Sequence, residues 1–321
     1  MSIQANQDSQ SKTQNSFNKT QLINNFDNYL RNYKNVVELT ITHHHIYIKR
    51  FFDWFDNHQL NSLKEVNFEN LNKFLSQYHN KYSPASIRKL HFSLRAFFEY
   101  CRIYNIIEYN FRPILPQRRV YSKSLVPAVL SKAEINLLIT ETEKNKSDIG
   151  QRNYAILLLL ICYGVRGCQI RNLELPDIHW EQNLILFRSS KNGNSVEQKL
   201  LPEVGNALIN YITKFRQESN CQKVFLSFRN PNKGLTSSSS LSIIIGNLLD
   251  EAGLEIPQNA LRGSHLFRHT FASGLLSEGE PIKNISDMLG HKLLSTTSIY
   301  TKIDIDNLKQ VCLIWRESNE K

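Results

Sequence analysis

The chain has 321 residues, with 39 Lys or Arg against 29 Asp or Glu, for a formal net charge of +10. The length predicts about two domains and a core able to stand without disulfides or a structural metal, and the 41% hydrophobic content excludes wholesale disorder. Five cysteines, an odd number without a CxxC pair, argue against a disulfide framework and a zinc ribbon. The longest apolar run, Tyr154–Tyr163, falls far short of the ~20 residues that cross a bilayer. The N-terminus lacks the apolar segment of a signal peptide. A basic intracellular protein is expected, with a polyanion rather than a membrane as its first partner.

Residues 1–19 are mostly Gln, Asn, Ser and Lys and predict a disordered tail. Residues 20–110 read as helical throughout. Leu22, Ile23, Phe26, Tyr29, Leu30 and Tyr33 share one face at three-to-four-residue spacing. A second helix is predicted over Ile41–Phe55, and a third carries Leu71, Phe74, Leu75 and Tyr78. The fourth opens at Ser83, a good N-cap, with Pro84 in the first helical position. Its stripe of Ile87, Leu90, Leu94, Phe97, Phe98 and Cys101 faces a core, while Arg88, Arg95 and Arg102 recur every seven residues, with His91 between the first two. Such a row suits phosphates or base edges in a DNA groove; by itself a basic stripe on one helix is more often a solvated face, and the basic segment that follows favours DNA. The run His43-His44-His45 points three ways on a helix and is no metal site.

Residues 111–130 predict an extended basic linker able to lie along a duplex. From Phe111 to Lys132 the chain carries Arg112, Arg118, Arg119, Lys123 and Lys132, no acid, and three prolines at 113, 116 and 127. The second domain, 131–321, opens with capping-box spacing at Ser131 and Glu134. The Tyr154–Tyr163 run is apolar all round and predicts a core helix. Strands are expected at Leu184–Arg188 and Val196–Leu201, with Asn192-Gly193 as the hairpin turn. Helices follow over Glu203–Arg216, Ser238–Ala252 and His265–Ser277, and from Pro281 to Gly290. The fold class is mainly α: a helical N-terminal domain, then a mostly helical domain with a small antiparallel sheet.

Six side chains concentrate the chemistry: Arg166, Lys191, His265, Arg268, His291 and Tyr300. Two arginines, a lysine, two histidines and a tyrosine without acids form a phosphate-handling set. Arginine grips two nonbridging oxygens at once and stays charged. A tyrosine hydroxyl with pKa near ~10 attacks well only when cations surround it. Taken singly, each is equally a solvated arginine, a capping histidine or a core tyrosine.

Jointly they resemble the tyrosine recombinase (phage integrase) family. The matching stretches are an apolar helix with Tyr-Gly-Val-Arg166 and Leu-Glu-Leu-Pro-Asp177-Ile, then His265-Leu-Phe-Arg268-His-Thr, then Leu-Gly-His291 with Ser-Thr-Thr-Ser-Ile-Tyr300. Lys191 lies 25 residues after Arg166, His291 23 after Arg268 and Tyr300 nine after His291, in the family's order. The likeness spans residues 20–315, its N-terminal part resembling the family's core-binding (SAM-like) domain. It implies transesterification without metal, cofactor or small-molecule substrate. Tyr300 would attack a DNA phosphate to form a 3′-phosphotyrosyl bond, and Arg166 and Arg268 would hold the nonbridging oxygens. Lys191 would protonate the leaving 5′-oxygen, His265 would assist at the nucleophile and His291 would hydrogen-bond the phosphate. The resemblance also implies double-stranded DNA as partner, a homo-tetramer on paired sites and a place in the bacterial cytoplasm on the nucleoid. The apolar residues Leu308, Val311, Ile314 and Trp315 resemble the terminal helix that relatives dock on a neighbour; a helix packed in its own subunit fits them equally.

Gln169 departs from the pattern, standing where the family usually has an acid. The hairpin after Lys191 is slightly long, which makes Lys199 the fallback. His265 and His269 have zinc-ligand spacing, but Leu266 stands where a HExxH site needs its glutamate. A non-catalytic DNA-binding protein would not need Tyr300, and a type IB topoisomerase would share the chemistry. The short N-terminal tail suits transposon, integron or Xer recombinases; the segment closing on Tyr300 leans toward a mobile element.

Overall fold

The computed structural model describes residues 18–116, 127–188, 194–228, 230–235, 237–257, 260 and 262–291. The expected N-terminal tail, but for residues 18 and 19, lies outside them, as do the Asn192-Gly193 turn and the segment around Leu308. The chain divides into two compact units, Met1–Ser122 and Lys123–Lys321.

Among the described residues the first unit holds four α-helices: α1 (Lys19–Asn32), α2 (Glu38–Asn57), α3 (Phe68–His79) and α4 (Pro84–Ile103). All but α2, which follows Val37 without a side-chain cap, start where the chain supplies an acceptor or a fixed φ. The Asn18 side chain accepts from Gln21 N, that of Asn67 from Asn70 N, and Ser83 caps α4 ahead of Pro84. Their apolar faces meet in an aromatic core in which Phe26, Phe51, Phe55 and Phe97 are fully buried; Phe26 and Phe97 meet edge-on at 5.4 Å. Tyr33, on the same predicted face as Leu30, is the C-cap of α1 and is 73% exposed. Phe111 and Leu115, within the expected linker, belong to this core, and between them Arg112–Ile114 form a single 3-10 turn rather than extended chain. Two bulky apolar side chains outweigh the extended preference of an X-Pro step, and Pro113 is compatible with the first turn of a helix.

In the second unit α6 (Asp148–Tyr163) is the hub, packed by α5 (Lys132–Lys144), α8 (Pro202–Asn210) and α10 (Ser264–Ser277). Its leucines and isoleucine from 156 to 160 are all buried, as its apolar circumference requires. The Ser131–Glu134 capping box forms in both directions. After α6 come α7 (Gly167–Asn172) and a three-stranded antiparallel sheet in the order β1 (Ile178–His179), β2 (Leu184–Phe187), β3 (Val196–Lys199). Leu184 pairs with Lys199 and Phe187 with Val196. A two-stranded sheet, β4 (Leu226–Ser227) and β5 (Asn230–Gly234), precedes α9 (Ser238–Glu251); α11 (Ile282–Met288) follows α10. The α8 helix continues as a π turn over Tyr211–Phe215. Helix α7 and strands β1 and β4 carry too few residues to display a period, and β5, Asn-Pro-Asn-Lys-Gly, has no apolar alternation; none of the four is expected from the sequence. Among the described residues no helix is long and apolar enough to cross a membrane.

Candidate active site

Helix α6 stops at Gly164, whose φ of +55° is left-handed and whose amide donates to Leu160 O. The turn leads to Arg166 at the head of α7. There Arg166 N donates to Gln169 Oε1 at 2.9 Å, so the amide at 169 closes the first turn from within. Helix α10 presents His265 and Arg268 three positions apart. After α11 the chain passes through Gly290, at φ +61°, and His291 N returns to Ser286 O at 2.9 Å.

These three segments converge on one oxygen. Arg268, 3% exposed, donates through Nη1 to Gly164 O at 2.9 Å and through Nη2 to Leu289 O at 2.7 Å. Arg166 Nη1 donates to the same Leu289 O at 3.4 Å. His291 Nε2 lies 2.7 Å from Arg268 Nη2. A guanidinium cannot accept, so this nitrogen carries the lone pair and His291 is the neutral Nδ1–H tautomer. Burial first, then the charges of Arg268 and Arg166, push His291 down to about 4. The same causes in the same order lower His265, whose ring is nonetheless surface-exposed, so partial desolvation and two nearby cations act together. Both imidazoles are therefore neutral at pH 7, one able to accept a proton and the other to donate a hydrogen bond within a cationic setting.

Of the six predicted residues, the structure brings together Arg166, Arg268 and His291, with His265 feeling both guanidinium charges; Lys191 and Tyr300 lie outside the described residues. Lys199 is exposed on β3, on the face opposite Val196 and Gln198, which meet the segment ending at His291. In the α4 row, Arg88 is exposed, Arg95 donates to Leu115 O at 3.1 Å and Arg102 pairs with Glu99 at 3.0 Å. His91 is buried, its Nε2 3.3 Å from that of His79. Arg118 and Arg119 lie outside the described residues. His44 is buried and stacks on Phe92, with centroids 5.0 Å apart. Among the described residues no three His, Cys, Asp or Glu side chains group as a metal site. The sequence reading misses the Leu289 carbonyl, a backbone atom without a sequence signature. It quotes Asp177 only as part of a motif and gives it no role, whereas the structure buries it with its Oδ1 accepting from Arg188 Nε at 2.6 Å.

Residues 128–306 match the description of the Phage integrase family, and residues 23–102 that of the Phage integrase N-terminal SAM-like domain. The chain is 29% identical over 298 residues to tyrosine recombinase XerC of Anoxybacillus flavithermus, covering 91% of this chain and 96% of the relative. It is 27% identical over 291 residues to a putative integrase/recombinase, y4rA, of Sinorhizobium fredii, covering 90% of this chain and 69% of the relative. In fold it is similar to the XerH site-specific recombinase bound to a difH substrate, with a TM-score of 0.68 at 21% identity, over 92% of this chain and 85% of that one. A lambda integrase dimer on a core site is similar with a TM-score of 0.67 at 16% identity, over 88% and 76%. With more than half its length matched, the chain belongs to the phage integrase family, that of the tyrosine recombinases.

Proposed function

We propose that this site-specific recombinase breaks and rejoins duplex DNA through Tyr300, for integration or excision of a mobile element. The observation that carries the reading is the meeting of Arg166 and Arg268 on Leu289 O beside neutral His291, at the positions where the resemblance requires a phosphate clamp. In this reading the nonbridging oxygens of the scissile phosphate take the place of that carbonyl. The two guanidinium groups then stabilise the charge that grows as Tyr300 Oη attacks phosphorus. His265 accepts the tyrosine proton, Lys191 gives one to the leaving 5′-oxygen and His291 donates to the phosphate. The bond energy stays in the 3′-phosphotyrosyl link, so a 5′-hydroxyl from another strand reverses the step without a cofactor.

Binding would use the basic row Arg88, Arg95 and Arg102 of a core-binding domain at 20–110, together with Arg118 and Arg119, which precede a catalytic domain at 131–321. The working unit would be four protomers on two sites in the bacterial cytoplasm. Xer-type resolution of chromosome dimers is the second reading, favoured by a XerC relative matched over 96% of its length. Sequencing the DNA covalently attached to the protein in its own host separates them. A chromosomal site near the replication terminus would favour the second; junctions of a mobile segment would favour the first. Absence of any covalent DNA would remove both.

A further inference from the structure

Helix α4 carries a bulky aromatic on the face expected to be basic. His91 is buried, and Phe92 takes the outward place between Arg88 and Arg95, four residues after one and three before the other. Phe92 is 52% exposed, on a face that also carries exposed Arg88 and Lys89. Its ring lies on buried His44, with centroids 5.0 Å apart and planes 27° from parallel, so it is backed from within the unit. A single exposed apolar side chain is ordinary. The surroundings of this one are not.

Phe92 is one wall of a cleft in the first unit, shared with Arg95, Glu99, Arg112 and Leu115. Arg95 Nη1 donates to Leu115 O at 3.1 Å, which holds the guanidinium at the cleft and leaves its other N–H groups to spare. Arg112, exposed on the 3-10 turn, stands close enough to act on it: burial first, then the charge of Arg112, lowers Arg95. Glu99, the acid among the lining residues, is engaged by Arg102 at 3.0 Å. Two guanidinium groups beside one cleft repel each other, and a shared anion removes that cost.

Duplex DNA supplies a complement to both features. Its phosphates suit the arginine pair, and in the major groove thymine alone among the four bases offers a methyl group to an apolar side chain. We infer that Phe92 is a specificity-determining residue that packs on a thymine methyl of the target duplex, while Arg95 and Arg112 hold a nearby phosphate. The inference rests on the reading of DNA as substrate, and asks nothing of the chemistry at Tyr300.

The test begins with the full-length protein selecting its binding site from random-sequence duplexes, a step independent of cleavage. Each thymine of the selected site is then replaced in turn by deoxyuridine, which keeps the base pair and removes only the methyl. Wild-type affinity is expected to fall about fourfold at one or two thymines, the worth of one buried methyl, and to hold at the rest. Phe92→Ala should bind the thymine duplex about fourfold more weakly and treat thymine and uracil alike at those positions. Arg112→Ala should keep the discrimination and flatten the salt dependence of log K by about one. Should Phe92→Ala fail to fold, Phe92→Ser decides in its place. No uracil-sensitive thymine in the wild type, an unchanged sensitivity in the Phe92 variant, or failure to select any sequence overturns the inference. A protein that traps DNA covalently yet ignores the methyl removes this inference alone. One that reads the methyl but forms no adduct removes only the cleavage reading.

Discussion

Arg166 and Arg268 donate to a single acceptor, the main-chain oxygen of Leu289, at 3.4 and 2.7 Å. The contact fixes the spacing of two cations that stand far apart in sequence before any phosphate arrives. Arg166→Ala and Arg268→Ala should each slow covalent-adduct formation by roughly 10²–10³-fold, the worth of one preorganised donor at a growing oxyanion. Arg268→Ala should also lower the melting temperature, because buried Arg268 bonds both Gly164 O and Leu289 O, whereas half-buried Arg166 shares only the second of these. Single-turnover rates alongside thermal melts check both parts; an unchanged rate for either variant would falsify the clamp.

Tyr300→Phe should bind target DNA within about twofold of wild type and form no adduct, since only the nucleophilic oxygen is lost. Gel-shift affinity and trapping on a suicide duplex measure the two halves. Trapping at the wild-type yield would reassign the nucleophile.

Two buried histidines and one half-buried make stability depend on pH. His44, His269 and His291 are each pushed down to about 4, burial being the largest cause, against about 6.5 in an unfolded chain. Between those values the unfolded chain binds more protons than the folded one, so stability should fall as pH drops from 6.5 toward 4 and stay level above 7. Urea midpoints taken from pH 8 to pH 4.5 test this. A profile flat across that window would place the imidazoles in water.

Gly290→Ala should destabilise the second unit by about 1–3 kcal/mol, because left-handed backbone is costly for alanine and its methyl would meet Val196 at 2.7 Å. Adduct formation should fall further than stability, since His291 is the next residue. Melting and trapping of one protein sample show whether the two losses separate.

Affinity for DNA should fall steeply with salt, on a straight line of log K against log salt, because phosphate contacts release counterions. Variants replacing Arg88 or Arg118 by alanine should each flatten the slope by about one. A slope unchanged by either would take that arginine off the backbone contacts.

What could be read ahead of the structure follows how local the signal is. Ser83-Pro84, the Ser131–Glu134 box and the apolar circumference of α6 each declare themselves within a few residues, and each forms as expected. Helix α7 does not, because six residues make under two turns and its first hydrogen bond uses a side chain, Gln169, otherwise read only as a departure from a motif. His91, expected on the basic face of α4, is buried against His79 from α3, a neighbour fixed by packing and not by spacing along α4. The arginines were legible as types at intervals. Their common acceptor was not, because every residue owns a carbonyl and only the tertiary turn after α11 aims this one.

The acceptor's nature has its own outcome. A main-chain carbonyl is a dipole and bears no formal charge, so it holds the two guanidinium groups less strongly than a carboxylate in the same place would. An incoming tetrahedral oxyanion exchanges a weak partner for a strong one. Sulfate and inorganic phosphate should therefore bind the two guanidinium groups and inhibit beyond their ionic strength, where chloride at equal ionic strength does not, so the choice of buffer anion will itself set the apparent activity.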